Sequence, residues 1–242
     1  MVKIFSIEGN IGSGKSTLVE VLKTTLQTEG VIFVPEPIDD WNAIVDERGE
    51  TMLSKFYKFQ ESYAFSFQMM AYISRISALR KLIKKNPNAI IITERSVHTD
   101  RQVFAKMLYD DKKIESVKYQ IYLKWFDEFI QEIPITGIIY VRASPDICYE
   151  RVHKRGRIGE TIPLEYLQNC HDYHERWLHA EKNVCTLDAN PNRNPNEQDY
   201  TQWLTIIDKY IEFCTRPTEQ QKQVLSECFS NNVELCWQTN GS

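Results

Sequence analysis

Short apolar runs alternate with longer segments of helical periodicity through most of the chain. An unbroken apolar run such as that at 89–92 is typical of a strand with both faces buried. Strands separated by helical segments predict a parallel sheet with a layer of helices on each face. The pattern therefore predicts a three-layer α/β/α fold around a central five-stranded parallel sheet. The predicted strands lie at 2–7, 31–34, 89–93, 137–141 and 184–187.

The helical segments differ in how clearly the sequence marks their ends. The longest runs from about residue 53 to residue 85, and it ends at Asn86-Pro87 because proline lacks a backbone donor and restricts the residue before it. Pro163 suits the first turn of a later helix. After Arg216 the pattern weakens into a polar stretch. We predict one domain at 1–215 and a tail at 216–242 that is either loosely ordered or docked through Trp237.

Composition and charge narrow the class of protein. The 242 residues are 42% hydrophobic and 12% aromatic, which is enough to bury one substantial core. A formal net charge of −4 gives no general attraction to a polyanion, so we expect no nucleic-acid partner. No apolar run approaches membrane-spanning length, and the six cysteines include no CxxC pair, as expected for buried reduced thiols. With no targeting segment visible, we expect a cytoplasmic protein without a membrane partner.

A glycine-rich phosphate-binding motif follows the first predicted strand. Residues 9–16 match GxxxxGKS and precede a helical segment at 17–28, the context in which this motif forms a P-loop. Backbone N–H groups of such a loop surround phosphates, Lys15 can bridge the β- and γ-phosphates of ATP, and the Ser16 hydroxyl can bind Mg²⁺. The loop predicts the phosphate donor but leaves the acceptor open. The predicted ATP-binding residues of the loop are Gly9, Asn10, Ile11, Gly12, Ser13, Gly14, Lys15, Ser16 and Thr17.

Two glutamates follow neighbouring predicted strands. Glu36 comes after the second strand and Glu94 after the third, so both should lie beyond the carboxyl ends of strands, where α/β sheets bind ligands. Phosphoryl transfer needs one carboxylate to orient the attacking hydroxyl and another near magnesium. This pair could supply both, although either glutamate could instead be solvated or ion-paired.

The long helical segment carries polar residues on one face. Gln68, Ala71 and Arg75 are spaced by three and four residues, so they share that face. A glutamine amide suits the edge of a nucleobase, the small Ala71 leaves space beside it, and Arg75 can pair with Asp100. An ordinary buried polar network would carry the same residues.

A basic cluster stands out in an otherwise acidic chain. Arg151 and Arg155 are four residues apart on a predicted helix, and Arg157 follows across Gly156. Such arginines can close over a triphosphate as a lid and stabilise charge in the transition state. A solvated helix face is the alternative.

Several of these segments together resemble a known family. IEGNIGSGKST, VPEP, FSFQ, SRI, ERSVHTDR, GIIYVRASP, RGR and IPLEYL stand in the order seen in deoxyribonucleoside kinases, especially deoxycytidine and deoxyguanosine kinases, between residues 2 and 213. The resemblance implies a P-loop kinase fold with an arginine-bearing lid. It also implies a homodimer that transfers phosphate from ATP, with Mg²⁺, to the 5′-hydroxyl of a deoxynucleoside. Deoxycytidine or purine deoxynucleosides would be favoured over thymidine.

The same resemblance implies roles for individual residues. Glu36 would lie next to the 5′-hydroxyl, Glu94 would bind magnesium together with Ser16 or act as the base, and Arg95 with Lys15 would stabilise the transferring phosphoryl group. Aromatic walls of the base pocket and a pair that holds the sugar 3′-hydroxyl complete the substrate site. The walls are Trp41, Phe67 and Phe104, the sugar pair is Tyr57 and Glu160, and the base-reading residues are Gln68, Ala71, Arg75 and Asp100.

Two alternatives share these features. A nucleoside monophosphate kinase has the same P-loop and lid, but it needs a cationic site for the acceptor's phosphate, where VPEP places a carboxylate. A non-catalytic member would keep the fold as a structural subunit, which the presence of Lys15, Ser16, Glu36 and Arg95 disfavours.

Overall fold

The computed structural model describes residues 2–25, 30–157, 160–190, 200–231, 233 and 235–237. Its centre is a five-stranded, all-parallel sheet in the order β2-β3-β1-β4-β5. The predicted α/β fold with a central parallel sheet is therefore confirmed. The strands are β1 (Lys3–Glu8), β2 (Val31–Val34), β3 (Ile90–Glu94), β4 (Gly137–Arg142) and β5 (Val184–Asp188).

Helices cover both faces of the sheet because side chains alternate between the two faces of each strand. Phe5 and Ile7 pack on one face with residues of the first and tenth helices, while Ile4 and Ile91 pack on the other with the fourth and seventh. The described part of the chain contains no helix with the length and apolarity to cross a bilayer. The α-helices are α1 (Lys15–Thr25), α2 (Ile38–Asn42), α3 (Met52–Lys58), α4 (Gln60–Lys85), α5 (Val97–Thr99), α6 (Lys106–Asp110), α7 (Ser116–Phe129), α8 (Pro145–Arg155), α9 (Leu164–Ala180), α10 (Tyr200–Thr215) and α11 (Thr218–Ser230). A π-helix (Asp100–Ala105) joins α5 to α6, and a 3-10 helix (Ile130–Glu132) follows α7.

One predicted helix is broken in the structure, and the predicted end of another lies outside the described residues. The segment predicted as one helix at 53–85 is two helices, α3 and α4, broken at Phe59, whose φ and ψ of −135° and 60° are not helical. The break folds α3 back so that the Phe56 ring stacks on Phe67 at 4.5 Å between centroids. Eleven residues of straight helix would separate these positions by about 16 Å, so the contact requires the break. The predicted first helix extends to residue 28, and residues 26–28 lie outside the described part.

The segment after Arg216 contains structure that packs on the sheet layer. Helix α11 buries Val224 and Cys228 in the same cluster as α1 and α10. Trp237 forms an antiparallel bridge with Cys185 on β5, and its ring packs 5.4 Å from that of Tyr210. Trp237 therefore contacts both β5 and α10 in the described part of the chain.

Candidate active site

A cavity of about 630 Å³ opens at the carboxyl ends of the strands, between the P-loop and helices α3, α4 and α8. Its walls include residues predicted to bind the phosphate donor, the phosphate acceptor and the metal. Gly9, Asn10 and Ser13 belong to the same loop but are not among the wall residues. The predicted residues in the walls are Ile11, Gly12, Gly14, Lys15, Ser16, Thr17, Glu36, Trp41, Tyr57, Phe67, Gln68, Ala71, Arg75, Glu94, Arg95, Asp100, Phe104, Arg151, Arg155, Arg157 and Glu160.

The P-loop curls tightly between β1 and α1. Gly12 has φ of +82°, and a Cβ there would lie 2.5 Å from the carbonyl oxygen of Cys148, so only glycine fits. The Lys15 side chain is 4% exposed and its Nζ donates to the Asn10 carbonyl at 2.7 Å. Burial, followed by the nearby Arg95 charge, lowers the pKa of Lys15 to about 7. An anionic phosphate would supply the counter-charge that this buried amine needs.

Glu36 lies between two buried guanidinium groups. Its Oε1 accepts from Arg75 Nη2 at 2.5 Å and from Arg95 Nη1 at 2.8 Å. Burial alone would raise the pKa of this carboxyl, but the charges of Arg95, Arg75 and Lys15 and the hydrogen bond from Arg95 outweigh it and lower the pKa to about 2. Glu36 is therefore an ionised acceptor that faces the cavity at neutral pH.

Arg95 directly follows β3 and has a strained backbone. Its φ of +60° is rare for a residue with a Cβ, and its N–H donates to the Ile7 carbonyl at 3.0 Å. The guanidinium also lies 5.2 Å from the centre of the Phe104 ring. The ion pair that the sequence left open for Glu36 is present, and it holds Arg95 at the cavity wall.

Ser16 and Glu94 bring oxygen ligands together beside the P-loop. The Ser16 hydroxyl donates to Glu94 Oε1 at 2.6 Å, so one cation could contact both groups. Mg²⁺ prefers oxygen ligands and usually takes only one or two from the protein, with phosphates and waters completing the octahedron. The described residues contain no group of three or more His, Cys, Asp or Glu side chains placed for a metal. The pair fits a magnesium ion that arrives with a nucleotide.

The far end of the cavity is aromatic with a few buried polar atoms. Phe67 packs against Trp41 at 5.4 Å between ring centroids. Gln68 is 2% exposed, and its Oε1 has no hydrogen-bond partner. Arg75 Nε lies 3.1 Å from Asp100 Oδ2, and burial raises the pKa of Asp100 to about 7 against the opposing charge of Arg75. This end therefore combines aromatic side chains with one glutamine oxygen that no other described residue hydrogen-bonds.

The basic cluster lies at the opposite end of the cavity. Arg151 donates to the carbonyls of Ser13 at 3.0 Å and Ala189 at 2.9 Å. Arg155 and Arg157 form ion pairs with Glu160, which also lines the cavity near Tyr57. Burial first, and the Glu160 charge second, raise the pKa of Tyr57 above its usual value. The predicted sugar pair and the predicted lid therefore share Glu160.

Sequence reasoning did not assign some residues of this site. Ile38 and Tyr200 line the cavity, but no motif marks them, because each is brought in by the packing of its helix. Tyr166 also lines the cavity, and it lies in the IPLEYL segment without an assigned role. Glu8 is fully buried behind the wall. The sequence could have marked Glu8 as a candidate, because a carboxylate at the end of an apolar strand is unusual.

Comparisons with known proteins agree with this arrangement. The family model described as deoxynucleoside kinase matches residues 5–214. A deoxycytidine kinase of Homo sapiens is 38% identical over 244 aligned residues, which cover 88% of this chain and 91% of that protein. A probable deoxycytidine kinase of fowlpox virus (strain NVSL) is 41% identical over 180 residues, or 73% of this chain and 72% of that protein. A mitochondrial deoxyguanosine kinase of Xenopus laevis is 34% identical over 196 residues, covering 73% of each.

The match at 5–214 includes every strand of the central sheet except the first residues of β1, and it includes all the wall residues of the cavity. The identity of 34–41% to these relatives extends over most of their length. Sequence and fold agree, and the chain belongs to the deoxynucleoside kinase family.

Proposed function

We propose that this protein transfers the γ-phosphate of ATP to the 5′-hydroxyl of a deoxynucleoside, with deoxycytidine and purine deoxynucleosides favoured over thymidine. The observation that carries the proposal is the Glu36 carboxylate, which two arginines hold ionised between the P-loop and the aromatic end of the cavity. An acceptor hydroxyl at that position would lie between its orienting carboxylate and the phosphate donor.

The donor end holds the triphosphate through the P-loop. Backbone N–H groups at the start of α1 bind the phosphates, and Lys15 replaces its bond to Asn10 with one to a phosphate oxygen. Magnesium, held by Ser16 and Glu94, neutralises charge on the β- and γ-phosphates when bound. Arg155 and Arg157 would turn from Glu160 to the triphosphate as the lid closes. The donor residues thereby align the γ-phosphoryl group with the acceptor.

The acceptor end orients the attacking hydroxyl. Glu36 accepts a hydrogen bond from the 5′-hydroxyl and takes its proton as the bond to the γ-phosphorus forms. The bond from that phosphorus to the β,γ-bridging oxygen of ATP breaks, and ADP leaves. With a pKa of about 2, Glu36 is a weak base, so proton transfer comes late, after the hydroxyl has begun to acidify in a loose transition state. Arg95 then lies beside the charge that develops on the transferring group. In this arrangement Glu36 serves the acceptor and Glu94 serves the metal.

The preference among bases follows from the buried amide oxygen of Gln68. The unpartnered Oε1 of Gln68 needs a donor, which the exocyclic amine of cytosine or adenine supplies. In the orientation that the structure gives the Gln68 amide, thymine would place an oxygen against the Gln68 oxygen and a methyl group beside it. The cost of such an unpaired buried contact is about 1–3 kcal/mol.

Initial-rate assays with magnesium-ATP test the whole proposal. We expect phosphorylation of deoxycytidine or deoxyadenosine with kcat/KM at least about tenfold above that of thymidine, from the cost of unpaired acceptors. Guanine carries an oxygen at the same edge, so deoxyguanosine is favoured over thymidine only through the absence of the methyl group. A clear preference for thymidine would contradict the assignment of the base pocket. Turnover of dTMP alone would support a monophosphate kinase, and no turnover of any acceptor would support the structural alternative.

We also propose that the protein is a homodimer. Helix α7 exposes Val117, Ile121 and Trp125 along one face, 60%, 42% and 47% exposed, and it packs beside α4, which exposes Ile73. A row of apolar side chains with this spacing is typical of a helix interface. Light scattering at micromolar concentration should give twice the mass of the chain, and Ile121→Lys should give a monomer. Phe229→Lys, which changes an exposed apolar residue on α11, should stay dimeric, and a monomeric native protein would exclude the proposal.

We propose a cytoplasmic location as well. No disulfide joins the cysteines of the described residues, and four of these cysteines are buried. Reduced cysteines are typical of reducing compartments, where disulfides are rare.

A further inference from the structure

Glu8, the last residue of β1, is a buried carboxylate outside the cavity wall. It is 0% exposed, and both of its oxygens accept hydrogen bonds. Oε1 accepts from the backbone N–H of Ser96 at 3.0 Å, and Oε2 accepts from the hydroxyl of Thr99. Burying a carboxylate costs free energy unless its oxygens are hydrogen-bonded, and the two hydrogen bonds of Glu8 offset that cost.

Both partners of Glu8 lie in the turn that carries Arg95. Ser96 directly follows Arg95, and Thr99 ends the short helix α5. On the other side, the Arg95 N–H donates to the Ile7 carbonyl, one residue before Glu8. The end of β1 therefore holds the backbone on both sides of a residue whose φ is +60°. A left-handed arginine persists only where its surroundings fix it.

We propose that Glu8 is a positioning residue that holds the turn at 95–99 so that the Arg95 guanidinium faces Glu36 and the transferring phosphoryl group. The inference rests on the proposed function of Arg95. Glu8 acts through two hydrogen bonds to this turn and touches neither substrate nor nucleotide. Loosening either bond lets the turn relax, and a displacement of about 1 Å at a reacting group costs about 10²-fold in rate.

Single variants test the two hydrogen bonds. Glu8→Asp keeps the charge but is one methylene shorter, and Thr99→Val keeps the shape but loses the hydroxyl. We expect each to lower kcat about 10- to 100-fold, with the KM of the nucleoside within about threefold of native, because Arg95 acts on the transition state. Glu8→Gln retains an acceptor for Ser96 and a polar partner for Thr99, so it should recover most of the native kcat.

A matched control separates positioning from stability. The Thr136 hydroxyl accepts from the N–H of Ile4 at the other end of β1, far from the cavity. Thr136→Val removes one hydroxyl bond to the same strand, so it should lower the melting temperature as Thr99→Val does and leave kcat per folded molecule unchanged. If Thr99→Val and Glu8→Asp behave like this control, the inference is wrong. If Glu8→Asp does not fold, Thr99→Val decides alone.

A double variant links the effect to Arg95. In an Arg95→Ala background, Thr99→Val should cost less than about twofold in kcat, because the group that it positions is gone. Full additivity of the two losses would overturn the inference. If the native protein itself phosphorylates no nucleoside, the proposed function fails first. An active native enzyme with unaffected Glu8 and Thr99 variants would contradict this inference alone.

Discussion

Glu36→Gln is expected to lower kcat for nucleoside phosphorylation about 10²- to 10⁴-fold, the usual contribution of a positioned general base. Glutamine keeps the shape and one acceptor oxygen, but it cannot take the proton of the 5′-hydroxyl. The KM of the nucleoside should change much less, because the base and sugar contacts stay in place. Single-turnover and steady-state kinetics with magnesium-ATP measure both quantities.

The control for Glu36→Gln is a glutamate with similar partners elsewhere. Glu175 on α9 accepts from Arg142 Nε and Nη2, both at 2.9 Å, and from the Tyr140 hydroxyl at 2.6 Å, outside the cavity. Glu175→Gln should keep kcat within about twofold of native, because an ion pair at a half-exposed site contributes little. Glu36→Gln also leaves Arg75 and Arg95 without their shared carboxylate, so thermal unfolding should establish that the variant is folded before its rate is read. A folded Glu36→Gln enzyme with native kcat would refute the role of Glu36.

Arg95→Ala is expected to lower kcat about 10²- to 10³-fold, the cost of removing one preorganised donor to a charged transition state. Its guanidinium is 6% exposed and lies at the cavity wall, bonded to Glu36 at 2.8 Å. Arg142→Ala, which breaks the ion pair with Glu175 outside the cavity, is the matched control and should lose less than about twofold. Equal reductions of kcat in Arg95→Ala and Arg142→Ala would show that Arg95 is not a catalytic residue.

Arg95→Ala should also change the pH dependence of kcat/KM. The Arg95 charge is the largest of the influences that lower the pKa of Glu36 to about 2, while burial acts in the opposite direction. Without Arg95 the pKa of Glu36 rises, and protonated Glu36 cannot accept the hydroxyl proton. Activity of the variant should therefore fall at a higher pH than activity of the native enzyme as the solution is acidified. Rate profiles from pH 4 to 8 measure this, because native Glu36, with a pKa of about 2, gives no acidic limb in that range and the variant should show one. A variant profile of the same shape as the native profile over this range would contradict the titration of Glu36.

Local signals in the sequence were sufficient for the sheet and the phosphate-binding loop. Each predicted strand begins and ends within one residue of the observed strand, because the apolar run ends where the chain leaves the sheet. The P-loop was equally clear, since glycine spacing and the following helix lie within one short stretch. The helix break at Phe59 had no such signal, because no proline or glycine marks it.

The neighbours of each charged group were decided only by the tertiary structure. The sequence paired Arg75 with Asp100, but the structure shows that Arg75 also bonds Glu36, which lies 39 residues away and is shared with Arg95. Strand order is the physical reason, because β2 pairs with β3 and places Val34 opposite Thr93, so Glu36 and Arg95 leave the sheet beside each other.

The sequence by itself therefore determined the strands, the P-loop and which residue types could carry the chemistry, since each depends on residues close together in the chain. Tertiary structure alone decided that Glu8 holds the turn of Arg95 and that Glu36 is ionised between two arginines. The solvent exposure of a side chain and the charges around it depend on groups that are distant in the sequence and that only folding brings together.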